Sequence, residues 1–130
     1  MSEKCFLAFD LGAESGRAIV GRLDGERIAL EERHRFANGP SRMNGRLYWN
    51  LPGLWEEIKT GLKKTAGRGG HGPVRLSGVG VDTWGVDFGL LDERGDLVGN
   101  PVHYRDGRTD GVMEKVFAVV PREKIGRAHV

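Results

Sequence analysis

The segment Asp10-Leu11-Gly12-Ala13-Glu14-Ser15-Gly16-Arg17 puts an acidic residue at the end of an apolar run and follows it with a turn bracketed by two glycines. In such a bend successive main-chain N–H groups can converge, and converging amides form a concavity suited to an anion. Gly12 and Gly16 lack the Cβ atoms that would block close approach of a phosphate. Ser15 adds a hydroxyl, and Arg17 can bring positive charge to a nucleotide phosphate. Asp10 stands where a hydrated Mg²⁺ would be held, because Mg²⁺ keeps most of its waters and takes few carboxylates directly. The plain alternative is an ordinary hairpin with a solvated Asp10.

A second cluster lies at Gly78-Val79-Gly80-Val81-Asp82-Thr83-Trp84-Gly85-Val86-Asp87-Phe88, where an apolar run turns polar and aromatic. Asp82 and Asp87 offer carboxylates to hydroxyls, Trp84 offers an indole face to C–H groups, and Gly85 bares its main-chain amide. Those are the groups a polyhydroxylated ligand needs. The competing reading puts Trp84 and Phe88 in the core and makes Asp82 and Asp87 turn caps. A glycosidase pair is a weaker fit, since two carboxylates five residues apart on a strand face opposite sides. A third polar segment, His103 to Thr109, either lines the same cleft or is a solvated loop with a local Arg/Asp pair.

Other phosphate-binding signatures are missing from the sequence. No Gly-Lys-Ser/Thr occurs, so there is no P-loop, and Gly78-Val79-Gly80 lacks the third glycine of a dinucleotide fingerprint.

The elements that must position these residues can be read from periodicity. Lys4 to Leu11, Arg17 to Leu23 and Arg27 to Phe36 read as three antiparallel strands, with Asp24-Gly25 suggesting a type I′ hairpin turn. Asn38 to Asn50 reads as an exposed loop or a small hairpin. Leu51, Leu54, Trp55, Ile58 and Leu62 recur at helical spacing, so a helix is expected to about Ala66, capped by Asn50 and tolerating Pro52 in its first turn. Gly61 opposes that helix by roughly 1 kcal/mol relative to alanine. Val74 to Val81 reads as a buried strand, and Trp84 to Leu91 as a further strand turning through Asp92 to Asp96 into Leu97-Val98. Asp110 is the expected cap of a helix carrying Val112, Met113, Val116, Phe117 and Val120 up to Pro121. Strands, helix and strand in this order predict an α/β fold with a mixed sheet and N-terminal antiparallel hairpins.

Composition sets the outer bounds. A chain of 130 residues, 38% apolar and 29% charged, suits one globular domain or part of one. The apolar run Cys5 to Phe9 is too short for a signal peptide or a membrane span, so a cytoplasmic protein is expected. A net charge of +2 from scattered residues builds no basic face for nucleic acid. The single cysteine and four dispersed histidines give neither an internal disulfide nor a structural metal site. Glycine, at 21 residues, is the outlier, and calls for many turns or close backbone approaches. The tail from Lys124 reads like a translated sequencing adapter, so residues 1–125 are expected to be native and residues 126–130 foreign.

Taken together, Asp10 to Arg17, His34 to Gly39, Gly78 to Leu91 and Tyr104 to Gly111 resemble the FGGY carbohydrate kinases, and Asp-Thr-Trp-Gly-Val-Asp-Phe resembles one branch of that family. The resemblance implies two domains of the actin-like ATPase (ribonuclease H-like) fold, with ATP and sugar in the cleft between them and this chain forming part of the first. It implies that Ala13, Glu14, Ser15, Gly16 and Arg17 form the ATP phosphate loop and that Gly85 contacts the sugar; Asp82, Trp84 and Asp87 are the further sugar-binding candidates on side-chain chemistry alone. Glu14 departs from the Ser found in some relatives. ATP and Mg²⁺ are the implied cofactors, and small-molecule sugar and ATP the implied partners, with no nucleic acid or membrane. The expected reaction of the intact protein is phosphorylation of L-rhamnulose at its 1-hydroxyl. Fuculose, xylulose, a non-kinase actin-like ATPase and a sugar-binding module are the alternatives. The family's general base, an aspartate, falls in its later half, so these residues alone are expected to be inactive and to leave an apolar face uncovered.

Overall fold

A computed structural model describes residues 3–125; the expected foreign tail, residues 126–130, lies outside the described residues. Three long strands open the chain: β1 (Lys4–Leu11), β2 (Ser15–Asp24) and β3 (Arg27–Ala37). A small hairpin of β4 (Pro40–Met43) and β5 (Arg46–Trp49) leads into helix α1 (Leu51–Thr65). Strand β6 (Gly78–Thr83) and helix α2 (Val112–Val119) follow. The main sheet runs β3-β2-β1-β6, antiparallel at the first two pairings and parallel between β1 and β6, which makes it mixed.

Alternation along β1 explains how the sheet acquires a core. Cys5, Leu7, Phe9 and Leu11 all point to one face, where Ala18, Val20, Phe36 and Leu54 of α1 close over them. Leu51, Ile58, Val74, Leu76 and Trp84 pack against this cluster. Helix α1 starts where Asn50 Oδ1 accepts the Gly53 N–H at 3.1 Å, with Pro52 in the first turn and Lys63 and Lys64 in the last. His34 on β3 bridges to this helix through Glu57 and Lys64.

Gly61 sets how closely α1 crosses the sheet. A Cβ there would fall 2.8 Å from Phe9 Cε1 and 2.8 Å from Ala18 Cβ. The low helix propensity of glycine is offset by this close approach.

Four expectations need correction. The β2–β3 turn centres on Gly25 and Glu26, and only Gly25 has a positive φ (62°), which is the type II′ pattern and not type I′. The type I′ requirement is met instead by Asn44 (φ 51°) and Gly45 (φ 77°), which join β4 to β5. Residues from Trp84 to Leu91 form no strand; only a single bridge, Leu91 to Leu97, survives around the Asp92 turn. Gly85 and Gly89 interrupt the run, and among the described residues no neighbouring strand offers a ladder. Of Val74 to Val81, only the part from Gly78 onward is strand, and it lies at the sheet's edge with Val79 and Val81 exposed. Asp110 does not cap α2: it closes the 3-10 turn Gly107–Thr109, and the helix begins after Gly111 at φ 69° with no side-chain cap.

Candidate functional site

Strand register assembles the charged end of the sheet. Asp10 pairs with Arg17 on β2 and with Asp82 on β6, and Arg17 pairs in turn with Arg35 on β3. Residues opposite one another across a sheet share a face, so Arg35, Arg17, Asp10 and Asp82 form one row. Arg17 Nη2 reaches Asp10 Oδ2 at 3.1 Å, and both side chains are partly open to solvent. Asp10 and Asp82 lie at the carboxyl ends of parallel strands, where ligand crevices form in open α/β sheets.

The bend from β1 to β2 is built from inside. Gly12 N–H donates to Ser15 O at 3.0 Å, Asn38 N–H donates to Glu14 O at 2.9 Å, and Asn38 Nδ2 donates to Gly12 O at 2.7 Å. These bonds consume the Gly12 amide and the carbonyls of Gly12, Glu14 and Ser15. The N–H groups of Ala13 and Glu14, by contrast, donate to no acceptor among the described residues. Two adjacent unpaired amides at the tip of a braced loop can serve an anion.

Both glycines have a packing reason that the sequence concealed. A Cβ at Gly16 would sit 2.2 Å from Phe36 Cζ, so its missing side chain makes room for a core ring. A Cβ at Gly12 would meet Ser15 O at 2.7 Å, within the turn itself.

Beyond Asp82 the chain passes over an aromatic stack. The Trp49 ring lies 4.1 Å from both Trp84 and His103, and His103 stacks on Tyr104 at 4.5 Å. Trp84 is half-buried against the core, Phe88 is exposed, and Gly85 has open space around it. Asp87 Oδ2 accepts from Trp49 Nε1 and from the Tyr104 N–H at 3.1 Å. Asp87 thus fastens the 84–88 segment to β5 and to the His103 loop. The 84–88 segment is held by this carboxylate in place of a strand ladder.

The His103 loop is itself anchored. Asp106 is buried and accepts from Leu47 N–H, Arg108 N–H and Arg46. Those bonds, the Leu47 amide first, hold its carboxyl below the ordinary carboxylate range. His103 is 1% exposed, and its Nδ1 accepts the Arg105 N–H at 3.0 Å. The proton therefore sits on Nε2, which has no partner among the described residues. Burial, with the Arg105 charge, pushes the imidazole pKa down against the opposing pull of Asp87.

Asp10, Ser15, Gly16 and Arg17 are thus gathered at one end of the sheet with Ala13 and Glu14, and Asp82 joins them there. Trp84, Gly85 and Asp87 follow on the adjoining loop. Asn38 and Trp49 were not singled out from sequence. Asn38 was hidden by its Asn-Gly dipeptide, which reads as a turn, and Trp49 by its place at the end of a polar loop.

The amino-acid sequence matches the FGGY family of carbohydrate kinases, N-terminal domain, over residues 5–127. This chain belongs to the FGGY family. Rhamnulokinases from Oceanobacillus iheyensis and Halalkalibacterium halodurans are 43% and 48% identical to it over 123 and 119 residues, covering 95% and 92% of the chain. A third, from Mannheimia succiniciproducens, is 47% identical over 122 residues and 92% of the chain. The FGGY chain spans only about a quarter of the length of these relatives, 25%, 24% and 24%.

Solved structures agree on the architecture. A xylulose kinase from Rhodospirillum rubrum superposes with a TM-score of 0.69 at 23% identity, covering 95% of this chain and 25% of that one. A gluconate kinase from Lactobacillus acidophilus gives 0.70 at 9% identity, covering 90% and 23%. At such identities the likeness shows fold alone, and that fold is the actin-like ATPase fold, of which this FGGY chain is part of the first domain.

Among the described residues, no three His, Cys, Asp or Glu side chains group to hold a metal ion, and no helix is long and apolar enough to cross a membrane. Asp10 and Asp82 nonetheless fit a hydrated Mg²⁺, which prefers hard carboxylate oxygens and needs few of them.

Proposed function

We propose that the intact protein transfers the γ-phosphoryl group of ATP to the 1-hydroxyl of L-rhamnulose, and that these residues supply its phosphate loop and part of its sugar pocket. The observation that carries this reading is the pair of unpaired amides at Ala13 and Glu14, one turn beyond the Asp10 carboxylate. Phosphoryl transfer needs mainly positioning and charge neutralisation, and a rigid amide cradle offers both.

In this reading Ala13 to Arg17 hold the nucleotide's phosphates, the Ser15 hydroxyl donating one further hydrogen bond. Arg17 stays paired with Asp10 and turns its remaining guanidinium N–H groups to a phosphate oxygen. Asp10 would hold Mg²⁺ through water, with Asp82 beside it, and the ion would offset the charge of the polyphosphate. Gly85 leaves its amide open to a sugar hydroxyl, the Trp84 face borders that space, and Asp87 acts by fastening the segment. The sugar hydroxyl oxygen forms the new P–O bond, ADP leaves, and the hydroxyl proton passes to an aspartate of the remaining polypeptide. Residues 3–125 alone would then be inert. An enzyme that consumes ATP works where ATP is made available, which supports a cytoplasmic location.

L-rhamnulose is favoured because three relatives at 43–48% identity carry the name rhamnulokinase. Fuculose or xylulose would be read by the same kinds of paired polar groups. An actin-like ATPase of another class would have no use for Asp82 to Phe88.

The test is ADP release by the full-length protein with ATP, Mg²⁺ and a panel of ketoses. The highest kcat/KM is expected for L-rhamnulose. A higher value for xylulose or fuculose would reassign the substrate, and ATP turnover indifferent to every sugar would remove the kinase reading.

A further inference from the structure

Glu14 is an awkward residue for an anion cradle. Its carboxylate is 79% exposed at the tip of the bend, next to the two unpaired amides. Within residues 10–17, Arg17 is already committed to Asp10 at 3.1 Å. That leaves Glu14 as one uncompensated negative charge where a polyphosphate would approach.

The compensating charge comes from far along the chain. Arg105 Nη2 and Nη1 reach Glu14 Oε1 at 3.4 and 3.5 Å, across a separation of 91 residues. Arg105 is not placed there by a wandering loop. Its N–H is held by His103 Nδ1, the next residue is the buried and triply bonded Asp106, and its guanidinium lies 5.3 Å from the Tyr104 ring centroid.

We infer that Arg105 is a positioning and charge-compensating residue of the nucleotide loop: it neutralises Glu14 and thereby ties the phosphate bend to the aromatic segment that carries Tyr104 and is fastened by Asp87. The inference rests on the reading of Ala13 to Arg17 as a phosphate loop. It assigns Arg105 an effect on nucleotide affinity exerted through Glu14, with no contact to the phosphates required.

A unit charge facing another at about 4 Å in water is worth close to a fivefold change in an equilibrium, and ionic strength weakens it. Removing Arg105 should therefore weaken nucleotide binding, and removing Glu14 should strengthen it.

The experiment uses the full-length protein and four variants: Arg105→Ala, Arg105→Lys, Glu14→Ser, and Glu14→Ser combined with Arg105→Ala. KM values for ATP and for the ketose are measured separately, with Mg·ADP affinity by calorimetry and thermal midpoints to confirm folding. Arg105→Ala is expected to raise KM for ATP about fivefold with the ketose KM within about twofold, and Arg105→Lys to recover most of the loss. Glu14→Ser alone should lower KM for ATP, and the double variant should return near the wild type. The differences should shrink at high salt. An unchanged KM for ATP in Arg105→Ala, or a double variant as weak as Arg105→Ala alone, would overturn the inference while leaving the kinase reading intact. A wild-type protein that binds no Mg·ADP and phosphorylates no ketose would remove both.

Discussion

Asp10 and Asp82 stand in register on the neighbouring parallel strands β1 and β6, and Arg17 faces Asp10 from the opposite side. Adjacent strands lie about 4.8 Å apart, so the two residues are neighbours on one face of the sheet, with Arg17 and then Arg35 continuing the row. The acidic end of this row offers the hard carboxylate oxygens that a hydrated cation prefers. Asp10→Ala in the full-length protein is therefore expected to lower kcat by about 100-fold with Mg²⁺·ATP, and Asp82→Ala by less. Steady-state kinetics across Mg²⁺ concentrations checks both, and wild-type turnover in Asp10→Ala would take Asp10 out of the mechanism.

Asp87 joins three segments through one oxygen, accepting from the Trp49 indole and the Tyr104 main chain. Asp87→Ala strands both donors. Hydrogen bonds to charged groups contribute about 1.5–3 kcal/mol. The 84–88 segment should loosen and, if it borders the sugar as proposed, the ketose KM should rise about tenfold with the ATP KM nearly constant, alongside altered tryptophan fluorescence. An equal rise in both constants would show that Asp87 supports the whole fold and not the sugar side.

Gly61 invites a substitution whose sign is not obvious. Alanine improves helix propensity by about 1 kcal/mol, yet its Cβ would overlap Phe9 and Ala18 at 2.8 Å, and overpacking costs about 1–3 kcal/mol. The close contact should win: Gly61→Ala should lower the thermal midpoint, and Phe9→Leu in the same chain should restore part of it. A raised midpoint would mean that α1 shifts away freely.

Which parts of this architecture could be read in the residues follows from how local their causes are. The strands β1 to β3 are marked by apolar runs broken at Gly12 to Gly16 and at Asp24-Gly25, and helix α1 by helical spacing and the Asn50 cap, all local signals. The residues from Trp84 to Leu91 are apolar enough to suggest a strand, but their conformation is decided by Asp87 bonding to residues far away in sequence. No period in the segment carries that information. The same holds for Gly16: its glycine identity is legible, whereas Phe36 as the reason is a cross-strand contact. Asp10, Arg17 and Asp82 were recognisable as chemistry, but only strand register puts them in one row.

His103 gives the protein a dependence on acid. Its folded pKa lies below the ordinary value of 6.5, chiefly because burial disfavours the charged ring. The unfolded chain therefore takes up a proton, as pH falls through about 6.5, that the folded chain resists. Stability is full above that value and declines below it. Protonation at Nδ1 would also break the bond from the Arg105 N–H. Thermal midpoints of the full-length protein should fall between about pH 7 and pH 5.5, and His103→Gln should flatten that slope. A slope unchanged by the substitution would assign the acid sensitivity to other groups.

In the proposed function the main-chain amides at Ala13 and Glu14 receive the phosphates of ATP while Asp10 orders the metal. A crystal structure of the full-length protein with Mg²⁺ and a non-hydrolysable ATP analogue tests it directly. Phosphate oxygens are expected within hydrogen-bond distance of both amides, about 2.7–3.2 Å, with a magnesium-bound water on Asp10. A triphosphate seated away from this bend, with both amides still facing solvent, would contradict it.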